Sequence, residues 1–228
     1  MKAIKKVIVG GVKLFLFDKI GRWMRPNLLN KIERQKLHNH NFTILSQNCI
    51  GSIMYHDLGQ KFISPTINMK FDANDWIKFL KDVNKYLNSS ITFIDNPKVT
   101  YPIGYIGDCF VEFVHYHDKE EVIRKWKQRK ERINWNNLFV IACDRGMTID
   151  NIKSFAWLDV HKDARYLMFV CEETYCQLSQ KELATGRYLL QNYFKDGSDA
   201  RLLNFSSVLG HRYYNFVFDY VKFLNNYR

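Results

Sequence analysis

The 228-residue sequence has only four prolines, no Gly/Ser-rich or Pro-rich stretch and no internal repeat. No linker divides it, and one domain is the default reading at this length. There is no C-x-x-C pair, and the five cysteines (Cys49, Cys109, Cys143, Cys171, Cys176) are odd in number and sit mostly in apolar runs. That excludes a disulfide framework and points to a reducing cytoplasm. Neither G-x-x-x-x-G-K-[ST] nor a G-x-G-x-x-G following a strand occurs, so a P-loop and a dinucleotide fingerprint are absent. The pairs His38/His40 and His115/His117 lack cysteine or carboxylate partners at ligand spacing, and no metal or cofactor is expected. Long hydrophobic runs are missing too: the apolar stretch 7–17 contains Lys13 and is too short to cross a bilayer.

What is present is a lopsided charge. The net charge is +11, yet residues 1–36 hold ten Lys and Arg against Asp18 and Glu33, a balance of +8 that leaves only +3 for the rest. A body so weakly basic does not suit nucleic acid, which is not the expected partner. Residues 1–36 read instead as a basic amphipathic arm preceding a domain at 37–228. A helix there carries Ile4, Ile8, Val12 and Phe15 on one face, with Trp23 further on. Such a helix either lies on anionic lipid, at the inner face of the membrane, or docks on the domain.

Within the body, alternation over residues 42–47 predicts a first strand ending at Gln47-Asn48. Ile50, Ile53, Met54 and Leu58 follow at helical spacing between a cap at Asn48 and a stop at Gly59. Asp72 opens one helix with Trp76, Phe79, Leu80, Val83 and Leu87 on its inner face. A loop containing Pro102, Gly104 and Gly107 leads to a strand over 109–115, and Asp118 with Glu121 resembles a capping box for a helix ending near Arg132. Residues 138–143 and 166–171 read as buried strands, 149–158 and 216–224 as helices. The repeated strand-then-helix order predicts an α/β fold: a layered, largely parallel sheet with helices on both faces, Rossmann-like without the dinucleotide fingerprint.

Ligands of open parallel sheets bind beyond the carboxyl ends of the strands. That rule gathers Ser46, Gln47, Asn48 and Cys49, then Asp144 and Arg145, then Glu172 and Glu173. The turn Asn48-Cys49-Ile50-Gly51 at a helix start has the N–H groups and dipole to hold an anion, its alternative being a plain N-cap. Arg145 would hold phosphate or form an ion pair with Asp144 or Asp150. His56 is the candidate base; Asp57 points about 100° away on a helix, so Asp108 or Asp144 is the better orienting partner. The alternative is a surface histidine without a role. Cys49 and His56 would be about 10 Å apart along the helix, too far for a thiolate–imidazole pair. Tyr101, Tyr105 and Tyr116 either stack on a sugar or base, or pack.

The runs FTILSQNCIGSIMYHDLGQKFISPTINMKF, YPIGYIGDCFVEFVHY, RINWNNLFVIACDR and FDYVKFLN, in that order over residues 42–225, resemble the domain of unknown function 1919 family, associated with exopolysaccharide biosynthesis. The resemblance implies an α/β domain and a place in bacterial surface-polysaccharide production, without an established reaction or catalytic residues. The expected activity is therefore a transferase acting on a glycan precursor. Asn48, Cys49 and Gly51 backbone groups with Arg145 would hold the phosphates of a nucleotide-sugar or acyl-CoA donor, Ser46 would be a further substrate- or phosphate-binding residue, and His56 with Asp108 or Asp144 would take a proton from the acceptor. The alternative is a non-catalytic accessory protein that binds glycan or membrane.

Overall fold

A computed structural model describes residues 18–225. Helical backbone from residue 18 widens into a π turn, Arg25–Leu29, and continues as α1 (Asn30–Lys36). Pro26 accounts for the widening: it has no N–H to offer the carbonyl one turn back, and its ring crowds that carbonyl. Asn30 N–H closes the turn on the Arg25 carbonyl.

The chain then forms β1 (Thr43–Ser46), α2 (Ile50–Asp57), β2 (Lys70–Phe71), α3 (Ala73–Lys81), α4 (Val83–Asn88), β3 (Ile91–Ile94), β4 (Ile103–Ile106) and β5 (Cys109–Glu112). After α5 (Lys119–Lys130) come β6 (Leu138–Cys143), α6 (Ile149–Ser154), β7 (Arg165–Val170), α7 (Glu172–Tyr175), α8 (Gln180–Leu183), β8 (Tyr188–Leu190) and α9 (Tyr220–Asn225).

Two four-stranded sheets result. One is wholly parallel in the order β1-β6-β7-β8, with Thr43 opposite Leu138 and Phe139 opposite Arg165. The other is antiparallel in the order β2-β5-β4-β3. Every residue of β6 is buried, and the two-residue period explains how. Leu138, Val140 and Ala142 enter one core with Trp76, Phe79, Val111 and Trp126, while Phe139, Ile141 and Cys143 enter another with Ile50, Met54, Tyr214 and Leu224. A strand that is apolar on both sides must be a central parallel strand.

The expectation of one largely parallel sheet is thus corrected: the α/β character holds, but half the strands form a separate antiparallel sheet. The expected loop around Gly104 is strand β4, paired with β3 and β5. Gly104 sits there because a Cβ would lie 2.0 Å from the Thr92 carbonyl oxygen. The single helix expected from Asp72 is two, broken at Asp82, whose non-helical backbone (φ −148°, ψ 66°) lets its carboxylate cap Lys85 N–H. The expected helix 149–158 ends in a 3-10 turn after Ser154, and the closing helix begins at Tyr220, preceded by a 3-10 turn at Tyr213–Phe216.

The α5 cap forms as the sequence indicated, Asp118 accepting from Glu121 N–H at 2.6 Å. The Glu121 carboxylate reaches back to His117 N–H rather than to Asp118.

Candidate functional site

The parallel strands lie side by side in chain order, so the sheet has no strand-order reversal at which a crevice would open. A crevice arises differently. Gln47, just past β1, accepts Phe71 N–H of β2 at 2.9 Å through its carbonyl and Cys143 N–H at 2.9 Å through its side chain. One residue thus ties the carboxyl end of the parallel sheet to an edge of the antiparallel one. Asn68 assists from the left-handed region (φ 62°), its N–H held by Ser52 Oγ at 2.8 Å, and turns the chain into β2. At this junction lies a cavity of about 480 Å³, lined from one sheet by Gln47, Asn48, Cys143 and Arg145, from the other by Lys70, Phe110 and Glu112, and at its rim by Asp72, Ser198 and Asp199.

Two ion-paired groups flank it. On the antiparallel side Lys70 and Glu112 stand opposite each other across β2 and β5, 2.5 Å apart, and Tyr101 donates to the other Glu112 oxygen at 2.7 Å. Burial pushes Glu112 upward, but the bonds from Lys70 and Tyr101 and the lysine charge outweigh it and leave its pKa below the ordinary value. On the parallel side Arg145 pairs with Asp199 and, at 3.5 Å, with Asp196, while Arg201 bridges the same two acids. Asp199 is likewise pushed up by burial and pulled further down by Arg201 and Arg145.

Asp144 lies beneath this group, 3% exposed, accepting Cys171 N–H at 2.8 Å and Ser198 N–H at 2.6 Å. It pins the 196–199 loop to the strand ends. Gly197 is needed there: its φ is 96°, and a Cβ would approach the Arg145 backbone to 3.0 Å.

The sequence-derived candidates separate into three groups. Asn48 and Arg145 line the cavity together. Asn48 also accepts Ile50 N–H at 3.0 Å in the turn ahead of α2, whose N-cap is Cys49 and not Asn48 as expected, and donates to the Cys143 sulfur at 3.2 Å. Arg145 forms its ion pairs with Asp196 and Asp199, not with Asp144 or Asp150. Ser46, Cys49 and Gly51 adjoin the cavity without lining it. Ser46 is buried with its Oγ donating to the Asn48 carbonyl, and Gly51 packs so closely on it that a Cβ would come within 2.6 Å of that oxygen. Burial raises the thiol pKa of Cys49, and that of Cys143 to about 12, so both stay protonated.

The third group, His56, Asp108 and Asp144, is not drawn together. The His56 ring is 77% exposed at the far end of α2 and contacts Asp57 at 3.4 Å. Asp108 sits in the β4–β5 turn, bonded to Tyr86 and Lys78. The expectation that Asp108 or Asp144 orients His56 finds no such contact. Asp57 instead belongs to a buried cluster around Arg25, whose Nε reaches it at 2.7 Å.

Tyr105 packs on Phe110 and Tyr116 is buried against Arg129, whereas Tyr101 reaches the cavity through Glu112. Lys70, Glu112, Ser198 and Asp199 were not singled out from sequence. Lys70 and Glu112 carried one readable signal, opposite charges within strand-forming runs; Ser198 and Asp199 sit in a polar loop and carried none.

A family model described as Domain of unknown function (DUF1919) matches residues 20–225. The match begins well before Phe42 and takes in half of the segment read as an arm. An uncharacterized protein of Haemophilus influenzae is 31% identical over 199 residues, covering 87% of this chain and 91% of its own. The chain belongs to the DUF1919 family.

Proposed function

We propose that the protein is a transferase of bacterial surface-polysaccharide assembly that binds a sugar or lipid-linked precursor in the cleft between its two sheets. The observation that supports this is the pair of opposed polar walls, Lys70–Glu112–Tyr101 and Arg145–Asp199, on a cavity large enough for a sugar phosphate. Alternating hydrogen-bond donors and acceptors suit a polyol, which both gives and takes hydrogen bonds at each hydroxyl.

In this reading Arg145, with its partly exposed guanidinium, meets the donor's phosphates, a nucleotide sugar or acyl-CoA, exchanging its contact with Asp199 for them. Glu112, held ionised, takes the proton from the acceptor hydroxyl as that oxygen bonds to the donor's anomeric or acyl carbon. The nucleoside diphosphate or coenzyme A thiolate leaves with the bonding pair. His56 has no part in this scheme, because its ring lies at the opposite end of α2 from Asn48.

Thermal-shift titration with nucleotide sugars and acyl-CoAs tests the reading. A matching donor raises the melting temperature of the wild type, Arg145→Ala abolishes the shift, and Glu112→Gln keeps the shift while losing turnover. No shift with any donor of either class would sink it. A second reading, a non-catalytic glycan-binding subunit, draws on the fact that Lys70, Glu112, Arg145 and Asp199 all have ion-pair partners within the protein. It predicts stabilisation by glycan alone and full function of Glu112→Gln in cells.

A further inference from the structure

The helical segment 18–36 has one face fixed to the body. Gly21 lies where a Cβ would meet the Phe205 ring at 3.0 Å, and Arg25 and Asn30 are each 1% exposed. The same segment also exposes Ile20, Trp23, Leu28 and Ile32, by 39, 65, 40 and 38%. Single exposed apolar side chains are ordinary, but four on one short segment make a face without a partner.

The π turn shapes that face. A regular α-helix advances about 100° per residue and would carry Leu28 and Ile32 round toward the buried side of Arg25. The extra residue in the Arg25–Leu29 turn sets them back toward Ile20 and Trp23. Gly210, at φ 87°, packs against the buried side of the segment, where a Cβ would fall 2.8 Å from Arg25 Cβ, and so helps fix that side to the body.

Cations surround these side chains. Lys19, Arg22, Lys31, Arg34 and Lys36 are all exposed. Of the two acids in the segment, Asp18 pairs with Arg22 and Glu33 turns inward to Arg25. An apolar patch containing tryptophan, rimmed by one sign of charge, fits an anionic phospholipid surface. A second copy of the chain would set +8 against +8 over residues 1–36.

We propose that this face docks the protein on anionic lipid, with Trp23, Ile20, Leu28 and Ile32 entering the headgroup region and the exposed cations against lipid phosphates. Among the described residues no helix is long and apolar enough to cross a membrane. The cleft plays no part in this contact, so either reading can fail without the other.

Co-sedimentation of the full chain with phosphatidylglycerol/phosphatidylcholine vesicles, against phosphatidylcholine alone, provides the test. Binding is expected to the anionic vesicles, falling steeply as salt rises. Trp23→Glu/Leu28→Glu and, separately, Lys31→Glu/Lys36→Glu should each weaken it by about tenfold or more at unchanged melting temperature. Equal binding to both vesicle types, or wild-type binding by both double variants, overturns the proposal. So does a concentration-dependent dimer in sedimentation velocity that Trp23→Glu/Leu28→Glu dissolves, since the face would then belong to a second copy.

Discussion

Two arginine-centred clusters use the same residue types to opposite effect. Arg25, 1% exposed, meets Asp57 at 2.7 Å, the Gly210 carbonyl and Asn215 Oδ1 at 3.0 Å, Glu33 at 3.2 Å, and the phenol oxygens of Tyr220 and Tyr214 at 3.4 and 3.5 Å. It binds the start of the described chain, the end of α2 and the C-terminal region into one knot. Arg145 is 44% exposed, lines a cavity, and pairs with Asp199 and Asp196. A guanidinium whose donors are used up inside the fold holds structure together. One with donors turned to a cleft can trade partners with a ligand, at little cost to the fold.

Breaking the buried cluster should give the largest effect. Arg25→Met leaves the Asp57 carboxylate, 2% exposed, with Arg212 at 3.7 Å as its remaining guanidinium, at a cost of about 3–5 kcal/mol. Urea unfolding should show it as a large fall in midpoint. A loss under about 1 kcal/mol would mean the knot is not structural and would collapse the comparison.

Next is the anchor beneath the open cluster. Asp144→Asn keeps one acceptor oxygen but turns an amide toward Ser198 or Cys171 N–H, at a cost of about 1–3 kcal/mol. Hydrogen exchange should then rise at the Ser198 amide ahead of the β6 amides. Uniform exchange across both would mean that Asp144 does not pin the loop.

What the sequence revealed divides along the same line. β6 was readable because six consecutive apolar residues suit only a strand buried on both faces. Asn48 and Arg145 were readable because both follow a parallel strand, where the strand-end rule looks. The rule is blind to Lys70 and Glu112, which come from an antiparallel sheet folded against that end, and to Asp199, which a loop delivers from 54 residues away. β4 was hidden by Pro102 and Gly104, turn formers by habit; here the glycine serves a close approach to Thr92 rather than a turn. The break at Asp82 was hidden because the apolar period of residues 76–87 runs through it undisturbed. His56 drew notice by residue type, but α2 is eight residues long, so its two ends lie about 10 Å apart, and only the Asn48 end meets the cleft.

Arg145→Ala should barely touch stability, under about 1 kcal/mol, because its ion pairs are exposed and Arg201 still holds both acids. Its effect should appear in ligand binding instead. A stability loss as large as that of Arg25→Met would erase the distinction between knot and cleft.

The smallest expected effect concerns acid, and the two regions should respond with opposite sign. Burial raises the Glu33 pKa above the ordinary 4.5, outweighing the Arg25 charge and the Tyr220 hydrogen bond that lower it, and the Asp57 and Asp219 charges add to the rise. The folded chain therefore holds that proton more tightly than the unfolded chain, and the fold gains from Glu33 as pH falls from neutral toward 4.5. Glu112 has its pKa lowered, so its contribution is full above the ordinary value of 4.5 and drains away only below it, as pH falls toward the folded pKa. Melting curves against Gln variants isolate each group. Between pH 7 and 4.5 the wild type should gain on Glu33→Gln while its margin over Glu112→Gln stays level; below pH 4.5 that second margin should shrink. If both margins moved together across the whole range, the carboxylates would share one environment, and the contrast between a sealed cluster and an open one would have no electrostatic basis.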